Sequence, residues 1–78
     1  PITTIQYELI EDSFVTIVIY DMMGNIIKNL FEGDQFLGKK SIQWDGRNNF
    51  GHRISAGAYV YQIKAGKSSL TKKMILLK

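Results

Sequence analysis

The stretch FVTIVIYDMMGNIIKNLF, residues 14–31, decides the fold of this chain. Apolar residues recur with a period of two in its first half, which predicts a deeply buried β-strand over residues 14–21. One face of that strand carries only β-branched aliphatic residues, Val15, Ile17 and Ile19. Such side chains favour strands because their restricted χ1 angles pack well on a pleated surface.

A turn follows in the segment DMMG. Asp21 occupies the first position of a predicted type I turn and Gly24 the fourth. An aspartate at that position accepts hydrogen bonds from backbone amides of the turn, and glycine is common at its end. The run NIIKNLF, residues 25–31, then returns as a second strand. The whole stretch therefore predicts an antiparallel hairpin.

The same period of two continues through the rest of the chain, and no segment shows a helical repeat. Further strands are predicted over residues 2–9, 40–44, 58–65 and 70–78, with a polar connection over residues 32–39. Short strands with turns about every ten residues are typical of two packed antiparallel sheets. We therefore predict an all-β fold, an immunoglobulin-like antiparallel β-sandwich of about seven short strands. A small five-stranded barrel is the alternative.

Composition narrows the class of protein. The 78 residues, 45% of them hydrophobic, suffice for one small domain with little room for a deep pocket. The net charge of +3 is spread over single or paired basic residues, and there is no cysteine for a disulfide or thiolate metal site. No apolar run is long enough to span a membrane. The chain opens at Pro1 without a methionine, so we interpret residues 1–78 as a single domain from a longer polypeptide.

The segment WDGRNNFG, residues 44–51, is the first candidate site because it concentrates polar residues and glycines. Trp44 continues the apolar phase of the strand before it, so we predict that it fills the core. A calcium site, the alternative, needs about six to eight oxygen ligands, whereas this loop has one carboxylate beside the cation Arg47. We interpret the loop as a structural corner and predict no metal and no cofactor. Its expected turn residues are Asp45, Gly46 and Gly51.

Catalytic chemistry has no support in the sequence. His52 is the only histidine, which leaves no familiar zinc site or hydrolytic dyad. No serine lies in a strand-to-helix nucleophile turn, and the acidic pairs lie in polar turns. The tyrosines Tyr7, Tyr59 and Tyr61 share strand faces with aliphatic residues, which favours burial over base stacking. The chain is therefore predicted not to be an enzyme and not to bind nucleic acid.

Taken in order, four segments resemble a known family. They are PITTIQYEL (residues 1–9), VTIVIYDMMGNIIKNL (15–30), GKKSIQWDGRNNFGHRISAGAYVYQI (38–63) and TKKMILLK (71–78). Together they resemble the C-terminal sorting domain, type A, of proteins exported by the type IX secretion system. They also resemble the closely related immunoglobulin-like domain of the flagellar hook-capping protein. The family usually has a proline where this chain has Ile10.

The resemblance implies a non-catalytic C-terminal module of a larger bacterial extracellular protein. The module would direct secretion of that protein through the periplasm and its attachment to the cell surface. Its implied partners are the outer-membrane translocon, a sortase-like peptidase and upstream catalytic or adhesive domains of the same chain. It also implies structural roles for Asp21, Gly24, Asp45, Gly46, Gly51 and Gly57. The implied surface for export machinery is the tail Lys72, Lys73, Met74, Ile75, Leu76, Leu77 and Lys78.

Two other functions remain open at this point. One is a passive or carbohydrate-contacting accessory domain of a secreted glycosidase, and the other is an assembly module of the hook-cap type. The pair Lys72 and Lys73 also has a structural interpretation, because lysines on an outer strand commonly guard a sheet against edge-to-edge aggregation.

Overall fold

The chain forms two antiparallel β-sheets. The structure, a computed structural model, describes residues 2–77. Its strands are β1 (Thr3–Leu9), β2 (Ser13–Asp21), β3 (Ile26–Gln35), β4 (Gly38–Trp44), β5 (Gly57–Ala65) and β6 (Ser68–Leu76). β1 pairs with β4, and the other four strands form a sheet in the order β3-β2-β5-β6. The predicted all-β sandwich is confirmed, and the five-stranded barrel is wrong because the strands form two separate sheets.

The number of strands is a correction. Residues 2–77 contain six strands rather than the expected seven or so. The polar segment over residues 32–39 is also not a connection, because β3 continues to Gln35 and β4 begins at Gly38. Glu32 pairs with Thr16 of β2, so backbone hydrogen bonding to a well-formed neighbour extends β3 in spite of its polar side chains.

The core lies between the sheets and has two adjoining parts. In the first, Ile5 and Leu9 of β1 pack on β2 and β5. In the second, Trp44 of β4 packs among Ile19, Tyr59 and Leu76. The β2 residues Val15, Ile17 and Ile19 are completely buried, as the alternation predicts. Burying one such side chain contributes about 1.5–3 kcal/mol, and β2 supplies three of the nine buried hydrophobic residues among residues 2–77.

The β5–β6 hairpin turns in two residues. Ala65 is opposite Ser68, which leaves Gly66 and Lys67 as the turn. Gly66 has a φ of +59°, and among the described residues only glycines have a positive φ. A positive φ at the first position alone is typical of a type II′ turn, whose twist suits a tight hairpin. The Gly66 amide also donates to the Phe14 carbonyl at 3.3 Å, which ties this turn to the start of β2.

The start of β1 and the end of β6 lie at the same end of the sandwich. Thr3 is opposite Trp44 in the β1–β4 sheet, and Trp44 packs against Leu76 at the end of β6. The WDGRNNFG loop lies there too, so we call this the corner end. The opposite end carries the β1–β2, β3–β4 and β5–β6 connections.

Candidate functional site

The corner loop, residues 45–56, is held to the core by Trp44. The Trp44 side chain is 1% exposed, as predicted for a core residue. Its Nε1 donates a hydrogen bond to the Arg47 carbonyl at 3.0 Å. Its ring meets the Tyr59 ring edge to face, with centroids 6.2 Å apart. The Tyr59 hydroxyl in turn donates to the Ser55 carbonyl at 2.7 Å, so both aromatic residues bind the loop backbone.

The polar side chains of the loop bind the loop itself. Asn48 Oδ1 accepts hydrogen bonds from the Phe50 and His52 amides, both at 3.0 Å. Arg47 Nη1 donates to the Gly51 carbonyl at 2.8 Å. The Asn48 amide donates to the His52 carbonyl at 2.9 Å, which closes the turn from the other side. These contacts hold the loop in its conformation.

The Asp45 carboxylate has the same internal role. Its Oδ1 accepts the Arg47 amide at 3.1 Å, and its Oδ2 lies 3.7 Å from Arg47 Nε. Gly46 and Gly51 follow with φ angles of +77° and +81°, which L-residues rarely adopt. Residues 2–77 hold no group of three or more His, Cys, Asp or Glu side chains arranged to bind a metal ion. Calcium binding at Asp45 therefore gains no support from this geometry.

The loop also covers the free edge of β3. The Asn49 amide donates to the Ile27 carbonyl at 3.0 Å, and the Asn29 amide donates to Asn49 Oδ1 at 2.9 Å. Asn49 thus acts as a short extra strand partner at one side of the four-stranded sheet. The sequence does not reveal this role, because Asn29 and Asn49 are 20 residues apart.

The first hairpin is closed by Asp21. Its carbonyl accepts the Gly24 amide at 3.1 Å, and its Oδ1 accepts the Met23 and Asn25 amides at 2.9 Å each. Asn25 Nδ2 donates to Oδ2 at 2.9 Å. The hydrogen bonds from Asn25, first from its side chain and then from its amide, lower the pKa of Asp21 below its ordinary value of 3.8. Gly24, with a φ of +90°, ends the turn.

Gly57, expected from the resemblance to be structural, is the first residue of β5 and has a φ of +149°. His52 is exposed on the corner loop. The three tyrosines do not form a row of exposed rings: Tyr59 is buried, and Tyr7 and Tyr61 are half-buried against the core. The Tyr7 hydroxyl donates to Gln35 Oε1 at 2.7 Å. None of the residues 2–77 forms a helix that could cross a membrane.

The structure divides the expected recognition tail between surface and core. Lys72 and Lys73 are exposed, and Ile75 and Leu77 are 59% and 70% exposed. Leu76 is 4% exposed and belongs to the core, and Met74 packs against it. Lys78 lies outside the described residues. Only part of this tail is therefore available to a partner, and its role in recognition stays a prediction.

These features define a small immunoglobulin-like sandwich whose loops are stabilised by their own polar groups. Comparison with known proteins agrees, since the family model of the FlgD immunoglobulin-like domain matches residues 2–69. The chain belongs to this family. The resemblance to the immunoglobulin-like domain of the hook-capping protein is thereby confirmed, whereas the type IX sorting domain stays a prediction.

Among solved structures, FlgD from P. aeruginosa has a similar fold. The match has a TM-score of 0.77 at 23% sequence identity and covers 97% of this chain and 61% of that one. The chain therefore spans less than two thirds of the length of that protein. No curated protein matches.

Proposed function

We propose that this domain is a non-catalytic structural module of an extracellular or cell-surface assembly, of the hook-cap type. The family match over residues 2–69 carries the proposal. The corner loop supports it, because its polar groups hold the loop in shape and do not converge on a cavity. A module of this kind acts by contact with other proteins rather than by chemistry.

The two ends of the sandwich are the surfaces best suited to such contacts. Large apolar side chains are exposed in the connections at both ends, where no strand of this chain covers them. At the corner end these are Met22, Met23 and Phe50, and at the opposite end Ile10, Phe36 and Leu37. Exposed apolar side chains in neighbouring loops mark surfaces that other proteins cover.

Site-specific photo-cross-linking tests this role. A photoreactive amino acid replaces Phe50 or Phe36 in the full-length parent protein, expressed in its own bacterium. Ser41, exposed at the middle of β4 between the two ends, is the control position. We expect Phe50 and Phe36 to cross-link to extracellular structural subunits, identified by mass spectrometry, and Ser41 to give far less product. Cross-links only to outer-membrane export proteins would contradict the assembly role.

A sorting role for the tail is the second candidate, and the exposure of Lys72 and Lys73 on an outer strand favours it. In this hypothesis the outer-membrane translocon and a sortase-like peptidase act on the domain. Deleting residues 71–78 is a poor test, because Leu76 belongs to the core. The better test is Lys72→Glu with Lys73→Glu, in a reporter fusion in a type IX host.

The sorting hypothesis expects the double variant to retain the reporter in the periplasm. Lys39→Glu with Lys40→Glu, which makes the same charge change on β4, is the matched control and should be exported normally. Equal export of all three proteins would exclude recognition through these lysines.

A further inference from the structure

The last hairpin of the chain carries basic residues and no acidic ones. No acidic residue follows Asp45 in the sequence. The β5–β6 hairpin carries four exposed lysines: Lys64, Lys67, Lys72 and Lys73. Within residues 2–77 the one ion pair is that between Arg47 and Asp45 in the corner loop, so these lysines have no acidic partner. The hairpin is therefore a positively charged surface without internal compensation.

The same hairpin provides an uncovered sheet edge. β6 is the outermost strand of the four-stranded sheet, and residues 68–73 are all exposed. At the other side of this sheet, Asn49 binds the edge of β3 through two hydrogen bonds. Among residues 2–77, no loop makes a comparable backbone hydrogen bond to β6. The two edges of the sheet thus differ near the corner end, where the loop binds β3 at Ile27 and Asn29.

An apolar groove runs beside this uncovered edge. It lies between β6 and β1, has a volume of about 160 Å³, and is lined by Tyr7, Leu9, Ile63 and Leu70 among others. Leu70 is 43% exposed there. The acidic residue in the lining, Glu8, is on the β1 side. An apolar side chain entering from the edge would fill space between the two sheets that this chain leaves open.

We propose that β6 binds an extended acidic peptide segment of another protein, which pairs with it as a fifth strand of the sheet. Side chains of an added strand point alternately to the two faces, so apolar residues on one face reach the groove beside Leu70. Lys72 is opposite Tyr61 on the core-facing side, and Lys73 is opposite Val60 on the outer side. The two lysines therefore flank such a strand on both faces and pair with its acidic residues.

The combination of features favours an acidic peptide over other occupants. A second copy of β6 would bring its own lysines opposite these ones, and like charges across strands are destabilising. A nucleic acid would use the charge but neither the backbone edge nor the apolar groove. The inference goes beyond the assembly role proposed above, and its failure would leave the cross-linking test of that role unaffected.

Titration by NMR tests the proposal on the 78-residue chain. The probe is a peptide with the nine-residue length of β6, in which valine and glutamate alternate in one half, to reach the groove, and glutamate occupies every position of the other half, to meet both lysines. The expected result is that amide shifts and slowed hydrogen exchange are confined to β6 and the groove. Lys72→Glu with Lys73→Glu should weaken binding by about tenfold, as two reversed surface charges would. Lys39→Glu, on the other sheet, should change it by about twofold or less.

Two further ligands separate strand pairing from simple charge attraction. The same peptide with alternate backbone nitrogens methylated cannot donate on one edge, so it should not bind detectably. Single-stranded oligothymidine should not shift the groove residues. The proposal is overturned if the unmodified peptide does not bind, if the methylated peptide binds equally well, or if oligothymidine gives the same shifts.

Discussion

The Trp44 and Tyr59 rings meet at an interplanar angle of 73°, and Trp44 Nε1 and the Tyr59 hydroxyl both donate hydrogen bonds to backbone carbonyls of the corner loop. The loop is thus tied to β4 and β5 by two aromatic side chains that touch each other. Edge-to-face pairs contribute about 0.5–1.5 kcal/mol beyond their buried area. Disturbing this pair should therefore affect both the core and the loop.

Trp44→Ala should lower the free energy of unfolding by about 3–5 kcal/mol, because it leaves a large cavity. A chain of this size has a total of only roughly 4–12 kcal/mol, so the variant should be largely unfolded. Trp44→Phe keeps an aromatic ring but loses the hydrogen bond to the Arg47 carbonyl, and should remain folded. Urea unfolding followed by circular dichroism measures both. A loss below about 1 kcal/mol for Trp44→Ala would contradict the core assignment.

Arg47→Ala should change stability by only about 0.5 kcal/mol, because its ion pair and its hydrogen bond are exposed. Asn48→Ala should cost more, about 1–2 kcal/mol, since Asn48 Oδ1 accepts two backbone amides of the loop. Thermal unfolding of the two variants compares them directly. A larger loss at Arg47 than at Asn48 would point to a specific role for the guanidinium.

Asp21 should make stability depend on pH. Its pKa is lowered in the folded state, so its charge stabilises the fold above the ordinary pKa of 3.8, and this contribution is lost as the pH falls through the lowered value. Asp21→Asn should therefore be less stable than the wild type at neutral pH, with the difference shrinking in strong acid. Denaturation at several pH values measures this.

Asn25→Ala provides a control for the Asp21 experiment. It removes the side-chain donor that lowers the Asp21 pKa most, so the acid dependence should weaken while the carboxylate remains. A constant difference between wild type and Asp21→Asn across this pH range would show that charge is not the cause.

Gly46→Ala should destabilise the domain by about 1–2 kcal/mol through backbone strain at a φ of +77°. An added Cβ would lie 3.7 Å from Leu76, an ordinary contact, so a clash does not explain the loss. Gly33→Ala in β3 is the matched control, because Gly33 does not have a positive φ. It should be neutral or stabilising by up to about 1 kcal/mol. Equal losses in chemical denaturation would refute the strain argument.

Much of the fold can be predicted from local pattern. Alternation at Val15, Ile17 and Ile19 identifies the buried face of β2, because successive side chains of a strand point to opposite faces. Trp44 is predictable for the same reason, being in phase with the strand before it. Family membership is predictable from the combined motifs.

The remaining features depend on contacts between distant segments. The polar half of β3 forms because β2 supplies backbone partners, which the side chains at Glu32 and Asp34 do not show. The capping of β3 by Asn49, and the division of the tail between Leu76 in the core and Lys73 on the surface, require the sheet order. The groove beside Leu70 exists only once β1 and β6 are placed near each other.

Thr3 and Leu76 lie at the same end of the sandwich but on strands of different sheets. A pulling force applied through these two points would act across the strands and not along them. Hydrogen bonds in antiparallel sheets are perpendicular to the strands, so β1 and β6 would peel away one bond at a time from the corner end. The domain is therefore expected to unzip under low tension, and a protein held through both points would have a weak mechanical link there.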